Sequence, residues 1–316
     1  MNPNNNPAMI IIGLANTDMT VSYDANRAAL DKIQYSVGAY NPLSADDFRV
    51  LLASLKQPAI SQGGSGANTA RDMAAYGFDV GFMGAVGGYM DDGVGKADTY
   101  GQLFIKNLDD LKIRSFVEIV PNADSRVCII MNHDDGERTM FGQKNALYKI
   151  DSGLIARLPQ TKYIMVEGNL IPENKGLMPA VRQTGSTVVL TLSGMDRDGM
   201  KHPDVLESIE RANILFCNEL EYEIIKTNSV KFPKICIRTL GAKGCKIFMD
   251  NKWQTFATQK INKSEIKNGT IGAGDAFTAG AMIGFINGYR APEIAKSGNG
   301  LAARVLTSNM SYLIQR

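Results

Sequence analysis

The stretch Gly272-Ala273-Gly274-Asp275-Ala276-Phe277 constrains this chain more than any other. Its three small residues precede an apolar run that continues to Ile286, which predicts a buried helix beginning here. A helix N-terminus presents unpaired amides and partial positive charge, so the backbone of residues 272–274 is a candidate anion hole for a phosphoryl group. Asp275 is the candidate general base for an attacking hydroxyl. The alternative is a tight turn followed by an ordinary N-terminal aspartate.

Composition excludes several classes of function. The 316 residues are 44% apolar and 21% charged, as in an ordinary globular protein. A net charge of +2 predicts no nucleic-acid partner. The apolar run Met9–Ala15 is too short to span a membrane, so no membrane partner is expected. Four cysteines without CxxC spacing indicate neither a disulfide framework nor a zinc site and favour a reducing cytoplasm.

Short apolar runs alternate with helical patterns, which predicts an α/β fold with a largely parallel central sheet flanked by helices. The predicted strands are Ile10–Leu14, Val80–Met83, Tyr163–Glu167, Val188–Leu192, Ile214–Cys217 and Ile235–Thr239. The predicted helices are Ala67–Tyr76, Ser44–Leu55 and Glu219–Thr227.

Two stretches, at about 20–42 and 115–142, have more polar and alternating patterns. They predict a small accessory sheet inserted into an α/β core made of about 1–19, 43–114 and 143–316. Exposed strands of such a sheet can pair between subunits, so a homodimer through this sheet is left open.

A second glycine-rich motif, Gly63-Gly64-Ser65-Gly66-Ala67-Asn68, opens a predicted helix. The paired glycines let a polar ligand approach the backbone, and Ser65 and Asn68 supply hydrogen-bonding groups. The alternative is a structural loop. Other phosphate loops are excluded, because Gly95-Lys96 is followed by Ala97 rather than Ser or Thr, and neither GxGxxG after a predicted strand nor GxSxG occurs.

Asn16 and Asp18 directly follow the first predicted strand. Ligands bind beyond the carboxyl ends of parallel strands, so this aspartate is a candidate to bind a polyol through two hydroxyl groups. A turn aspartate is the alternative.

Two further motifs end strands. Asn218 with Glu221 is a candidate pair for a hydrated Mg²⁺, the alternative being an acidic first turn of a helix. The turn Thr239-Leu240-Gly241-Ala242-Lys243-Gly244 either covers nucleotide phosphates or simply reverses the chain.

These five motifs, in this order, resemble the ribokinase-like (PfkB) family of carbohydrate and nucleoside kinases over about residues 10–303. The resemblance implies a single kinase chain with a Rossmann-like core and a β-sheet lid. It also implies transfer of the γ-phosphate of ATP, with Mg²⁺, to a primary hydroxyl. The residue roles it implies are catalysis by Asp275 with Gly272, Ala273 and Gly274; acceptor binding by Asn16, Asp18, Gly64, Ser65, Asn68 and Arg138; nucleotide binding by Asn218, Thr239, Gly241, Gly244 and Asn299; and a water-mediated metal contact by Glu221 with Asn218.

Within the family, Ser65, the hairpin Asp135–Thr139 and Phe216-Cys217-Asn218-Glu219 resemble the adenosine-kinase branch, whereas residues 13–18 are spaced more as in ribokinases. Arg138, in that hairpin, is expected to meet the substrate or the transferred phosphate. Gly269 stands where the family usually has an aspartate that helps to bind a monovalent cation, which leaves potassium activation in doubt.

The acceptor is therefore expected to be a nucleoside such as adenosine, or else a free sugar of the ribose or fructose type. Aromatic walls for a nucleobase could come from Tyr35, Tyr40, Phe141 or Tyr148, each of which could equally lie in the core of the lid. A catalytically silent nucleoside- or sugar-binding protein is the alternative from a different class.

Overall fold

The computed structural model describes residues 6–134, 137–143, 149–228, 230–267, 269–308 and 312–313. Within them the chain forms a ten-stranded sheet, a separate five-stranded sheet and the helices that cover both. The strands of the large sheet are β1 (Met9–Ile12), β5 (Val80–Asp91), β6 (Val94–Ala97), β7 (Arg114–Pro121), β10 (Tyr163–Glu167), β11 (Thr187–Thr191), β12 (Ile214–Asn218), β13 (Ile235–Thr239), β14 (Cys245–Met249) and β15 (Lys252–Phe256).

The centre of the large sheet is parallel, as the runs of Ile, Val and Leu predict. The strand order is β15-β14-β13-β12-β11-β10-β1-β5-β6, with β7 also paired to β5. Only the edges are antiparallel, at β5/β6, β13/β14 and β14/β15. The carboxyl ends of the central strands therefore lie along one edge, where ligands bind in such folds.

Helices cover both faces of the large sheet. One core cluster packs it against α3, α4, α8 and α9, and a second packs the opposite face against α5, α6 and α7. The helices are α1 (Tyr23–Asn26), α2 (Ala45–Ser54), α3 (Ser65–Ala75), α4 (Thr99–Asp110), α5 (Leu177–Gln183), α6 (Pro203–Arg211), α7 (Glu219–Thr227), α8 (Ala273–Ile286) and α9 (Ala291–Leu306). Short 3₁₀ turns occupy Arg27–Leu30, Ser152–Arg157, Gly168–Leu170, Gly199–Lys201, Gly241–Lys243 and Lys263–Glu265.

The helix predicted from the small-residue motif is α8, which is buried from Asp275 to Phe285. Two glycines let α9 approach closely, since a Cβ on Gly280 would lie 2.5 Å from the carbonyl oxygen of Ser297 and one on Gly284 would lie 3.0 Å from Ile294 Cγ1. Neither α8 nor any other helix in the described ranges is long and apolar enough to cross a bilayer.

The second sheet, called here the small sheet, has the order β3-β9-β8-β2-β4. Its strands are β2 (Asn16–Ser22), β3 (Tyr40–Leu43), β4 (Ala59–Gly63), β8 (Arg126–Asn132) and β9 (Arg138–Gln143). Alternate residues such as Met19, Ile129 and Phe141 are buried against α2 in their own apolar cluster. The other face carries Asn16 and Asp18, because side chains alternate along a strand.

The predicted boundaries of the accessory sheet are partly wrong. Arg114–Pro121 belongs to the large sheet, where it pairs in parallel with β5. Its pattern is polar because it is a partly exposed strand at the sheet edge. Conversely, β4 was assigned to the core but pairs antiparallel with β2, and the stretch after β2 begins with helical turns rather than a strand.

Candidate active site

The small-residue motif lies at the carboxyl edge of the large sheet and starts α8. Gly272 adopts a left-handed conformation, with φ 74°, and as N-cap it offers no side chain to the first turn. The amide of Ala273 makes only a long contact, 3.4 Å, to the carbonyl of Thr270. A Cβ on the exposed Gly274 would meet no described atom within 4 Å. The first turn of the helix thus has no side-chain cap and has open space beside Gly274, which an anion could occupy.

Asp275, the third residue of α8, is only 8% exposed and is surrounded by hydrogen-bond donors. The side-chain amide of Asn68, on α3, donates to Asp275 Oδ2 at 3.0 Å. The hydroxyls of Ser65 and Ser193 also bond to this carboxyl group, and they lie 3.2 Å apart. The motifs that open α3 and α8, remote in sequence, therefore meet around one carboxylate.

Burial raises the pKa of Asp275 to about 6, and the nearby charge of Asp18 adds to the increase. The hydrogen bonds from Asn68, Ser65 and Ser193 oppose it by stabilising the ionised form. The group is consequently ionised at neutral pH while being a stronger base than a solvated aspartate.

Asp18 lies on the same side of the cleft, held by the side-chain amide of Asn16. A Cβ on Gly63 would collide with this carboxylate, and one on Gly64 would collide with the carbonyl of Leu14, so both glycines are needed for this close approach. Burial raises the pKa of Asp18 to about 6, and the positive charges of the nearby arginines lower it. The first two predicted acceptor-binding motifs are thus brought together.

Three groups at this site were missing from the predicted set: the buried Glu167 and Arg71 and the half-buried Ser193. Glu167 ends β10 and accepts from the amides of Gly66 and of Leu14, the latter at 3.3 Å, and burial raises its pKa to about 7. Glu167 and Ser193 both lie at the carboxyl ends of strands. Asp18 was predicted because ligands bind beyond such ends, and the same reasoning could have found these two residues. Arg71, inside a helical pattern, gives no such signal.

The predicted nucleotide-binding residues form a second group along the same edge, where Asn218 pairs with Thr239 across β12 and β13. Gly241 and Gly244 have φ of 57° and 93° and make a tight turn, closed by a 2.8 Å bond from the Leu240 amide to the carbonyl of Gly244. This turn leads the chain from β13 into the antiparallel β14, so it does reverse the chain, as one of the two interpretations of this motif predicts. Asn299, on α9, donates to the carbonyl of Ala257 at 3.4 Å.

Glu221 and Asn218 are engaged with each other. The amide of Asn218 donates to Glu221 Oε2 at 2.7 Å, and the amide of Glu221 donates to Asn218 Oδ1 at 2.9 Å, which is a capping box. Among the described residues there is no cluster of three or more His, Cys, Asp or Glu side chains able to hold a metal. A hydrated Mg²⁺ arriving with a nucleotide fits this site better than a resident metal ion.

Arg138, at the start of β9, reaches the loop before α8. A Cβ on Gly269 would lie 2.7 Å from its Nη2, so the guanidinium lies against that loop. Asp135 and Gly136, from the predicted hairpin, are outside the described residues, as is Tyr148.

The predicted aromatic walls are placed differently. Phe141 is fully buried in the core of the small sheet, and Tyr35 packs edge-on against it with ring centroids 5.5 Å apart. Tyr40 is 44% exposed and lies over Gly142. Of the four aromatic candidates, the lid-core alternative therefore holds for Tyr35 and Phe141.

The chain matches one family of known proteins. The pfkB family carbohydrate kinase description matches residues 37–313. The chain belongs to this family. It is therefore a phosphotransferase with an alcohol group as acceptor, and the family implies the use of ATP.

Solved structures show the same fold at low identity. Adenosine kinase from Sinorhizobium meliloti is 20% identical, with a TM-score of 0.77 over 98% of this chain and 96% of that one. Adenosine kinase from Schistosoma mansoni in complex with 2-fluoroadenosine is 16% identical, with a TM-score of 0.79 over 98% of each chain. Arabidopsis thaliana ribokinase complexed with ribose and ATP is 18% identical, with a TM-score of 0.69 over 98% and 97%. No curated protein matches the chain.

Proposed function

We propose that this kinase transfers the γ-phosphoryl group of ATP to a primary hydroxyl of a nucleoside, with Asp275 as general base. The observation that carries the proposal is the position of Asp275, a buried carboxylate bonded to Asn68 and adjoining the open N-terminus of α8. A proton acceptor and an anion-binding site next to each other are what phosphoryl transfer to an alcohol requires.

In the proposed reaction the acceptor hydroxyl gives its proton to Asp275 as its oxygen bonds to the γ-phosphorus. The bond from that phosphorus to the bridging oxygen breaks in line, and ADP leaves with the electron pair. The amides of residues 272–274 stabilise the charge on the transferred group. Magnesium, bound to ATP, supplies further charge neutralisation. The nucleotide itself is proposed to lie along Asn218, Thr239, Gly241, Gly244 and Asn299.

The small sheet favours a nucleoside over a free sugar. Its cleft-facing positions near the core carry the polar side chains of Asn16, Asp18 and Arg126, with Asn16 paired to Arg126 and Asp18 paired to Cys128. Farther along the same face, Ile130 and Met140 pair with each other and give an apolar surface. A molecule with hydroxyls at one end and a flat apolar base at the other matches this order, as buried hydroxyls need polar partners and a base does not.

A resident monovalent cation does not fit the loop before α8. Gly269 provides no carboxylate there, and the guanidinium of Arg138 lies against the same loop. Arg138 is proposed instead to meet the transferred phosphoryl group, which its five donors suit.

The test measures the rate of ADP formation from MgATP with each of four acceptors: adenosine, inosine, ribose and fructose. We expect kcat/KM to be about tenfold or more higher for a nucleoside than for a free sugar. Met140→Asp should lower kcat/KM for adenosine by about tenfold to a hundredfold and leave any ribose activity unchanged. Val94→Asp, at a 63% exposed position outside the small sheet, is the matched control.

Two outcomes would contradict the proposal. Faster phosphorylation of ribose or fructose would assign a free-sugar kinase. Saturable nucleoside binding without any phosphorylated product would assign a catalytically silent binding protein.

A further inference from the structure

Arg71 is an arginine with no exposed surface, placed one helical turn beyond the acceptor-binding motif. Its Nη1 donates to Asn68 Oδ1 at 3.0 Å and to the carbonyl of Gln62 at 3.1 Å. Its Nε donates to Asn107 Oδ1 at 2.8 Å. Nη1 also makes a longer contact to the carbonyl of Gly63 at 3.4 Å, and Nη2 has no hydrogen-bond partner among the described residues. The four acceptors fix the position of the guanidinium, because burying it without partners would cost several kcal/mol.

Aromatic rings also hold this guanidinium. Its carbon lies 5.3 Å from the ring centre of Phe104 and 4.9 Å from that of Tyr312, near the chain terminus. Next to Arg71, Asp72 accepts the amide of Leu313 at 2.6 Å. Tyr312 and Leu313 thus pack against Arg71 and Asp72.

The contact with Asn68 determines which way that side chain faces. A carboxamide has an oxygen at one end and an NH₂ group at the other, whereas a guanidinium can only donate. The end of Asn68 facing Arg71 must therefore be the oxygen, and its NH₂ group is left to donate to Asp275 Oδ2 at 3.0 Å. If the amide turned over, Asn68 Oδ1 would face Asp275 Oδ2, and two acceptor oxygens would meet without a proton between them.

We propose that Arg71 is a positioning residue that fixes the side-chain amide of Asn68, so that this amide always donates a hydrogen bond to Asp275. The proposal rests on the assignment of Asp275 as general base. It adds a residue that does not touch the acceptor or the nucleotide. Through the carbonyl of Gln62, the same guanidinium also ties β4 of the small sheet to the site.

The consequence is a change in the basicity of Asp275. A hydrogen bond from Asn68 favours the ionised carboxylate and lowers its pKa, against the effect of burial. An Asn68 free to turn over would accept a hydrogen bond from the protonated carboxyl, which raises the pKa. The other charged groups facing Asp275 are Asp18 on β2, Asp72 on α3 and Glu167 on β10, in addition to Arg71 itself.

The experiment measures kcat against pH from 5 to 8 for Arg71→Met and Arg71→Lys. We expect the acid limb of Arg71→Met to move upward by about one pH unit. In an Asn68→Ala background the same substitution should move the limb by clearly less, because only the direct charge of Arg71 then acts on Asp275. Arg71→Lys keeps the charge, so its acid limb should lie between those of the parent and of Arg71→Met. It serves in place of Arg71→Met if that variant does not fold.

A purely structural role would give a different result. Tyr312→Phe removes a hydroxyl that accepts from the side chain of Asn107 and keeps the ring beside Arg71, so it should lower the thermal midpoint and leave the acid limb in place. An unmoved limb in a folded Arg71 variant overturns the proposal. A shift of equal size in the Asn68→Ala background overturns it too, because the direct charge of Arg71 would then account for the whole effect.

A titration of ¹³C-labelled aspartate carboxyls by NMR, with Asp275 assigned through Asp275→Asn, measures the same pKa without turnover. Failure of the base assignment itself is recognised separately. In that case Asp275→Asn would retain turnover with an unchanged pH profile, whatever the Arg71 variants show.

Discussion

Helices α8 and α7 begin at the same edge of the large sheet, and each carries an acid at its third position, yet the two acids behave differently. In α7, Glu221 turns back to the amide of Asn218, and the amide of Glu221 bonds to Asn218 in return. In α8, the N-cap is Gly272, and Asp275 turns away from its own helix to Asn68 on α3.

The difference shows how a helix can leave its first turn open for a ligand. A side-chain cap contributes about 1 kcal/mol. Burying one large apolar side chain contributes about 1.5–3 kcal/mol, and α8 buries eleven consecutive residues from Asp275 to Phe285. Since packing outweighs the missing cap, α8 is stable without a side-chain cap, whereas the shorter and more exposed α7 uses its side chains to cap itself.

The largest expected effect is at the acid of α8. Asp275→Asn preserves the shape of the side chain but removes the proton acceptor, so kcat should fall by about 10²- to 10⁴-fold. Binding of ATP and of the acceptor, measured by calorimetry, should change little. The corresponding change in α7, Glu221→Gln, is the control and should leave kcat within a few-fold of the parent. Turnover above about a tenth of the parent value in Asp275→Asn would remove the residue from its role.

The open N-terminus of α8 is tested by filling it. Gly274→Leu places a side chain in the space that no described atom occupies, so it should displace the phosphoryl group and lower kcat/KM by about a hundredfold. The thermal midpoint should stay the same or rise, because glycine is a poor helix former. Gly274→Ala should give a smaller loss. Parent-level activity in the leucine variant would place phosphoryl transfer elsewhere.

The sequence predicted both helix starts and the sheet edge from which they begin, because glycine-rich turns and apolar strand runs are local patterns. Glu219–Thr227 and Ile235–Thr239 agree with the predicted bounds. The sequence could not predict that β4 belongs to the small sheet and β7 to the large one. A polar pattern is typical of any half-exposed strand and does not indicate which strand it pairs with.

The contacts around the base were only partly predictable. Asp275, Asn68 and Ser65 lie in motifs whose residue types suggest chemistry, and the structure brings them together. Arg71 lies in a helical pattern where an arginine is usually solvated. Its burial depends on Phe104 and Tyr312, which come from distant parts of the chain, so only tertiary structure reveals it.

The buried carboxyls near the start of α8 should make the stability of the protein depend on pH. Around α8, burial raises the pKa of Asp72 to about 8 and that of Glu167 to about 7, so the folded state binds these protons more tightly than the unfolded state does. Their stabilisation is complete below the unfolded pKa, near 4, and is lost as pH rises through the folded values. The thermal midpoint should therefore fall between pH 6 and pH 8.

Asp72→Asn should flatten the dependence of the thermal midpoint on pH, because it removes one of these protonation equilibria. Asp110→Asn, at an exposed ion pair with Lys106, is the control and should keep the slope of the parent chain. A midpoint that rises from pH 6 to pH 8 would show that these carboxyls are not buried as described.

The smallest expected effect concerns α7 and separates capping from magnesium binding. Asn218→Ala removes the cap, so it should lower the thermal midpoint by about 2 °C. Glu221→Gln retains an oxygen that can accept from the amide of Asn218, so the helix stays capped while the charge near the nucleotide is lost. If Glu221 contacts the waters of Mg²⁺, Glu221→Gln should raise KM for MgATP while the thermal midpoint stays that of the parent. Equal KM values in Glu221→Gln and the parent would leave Glu221 as a capping residue alone.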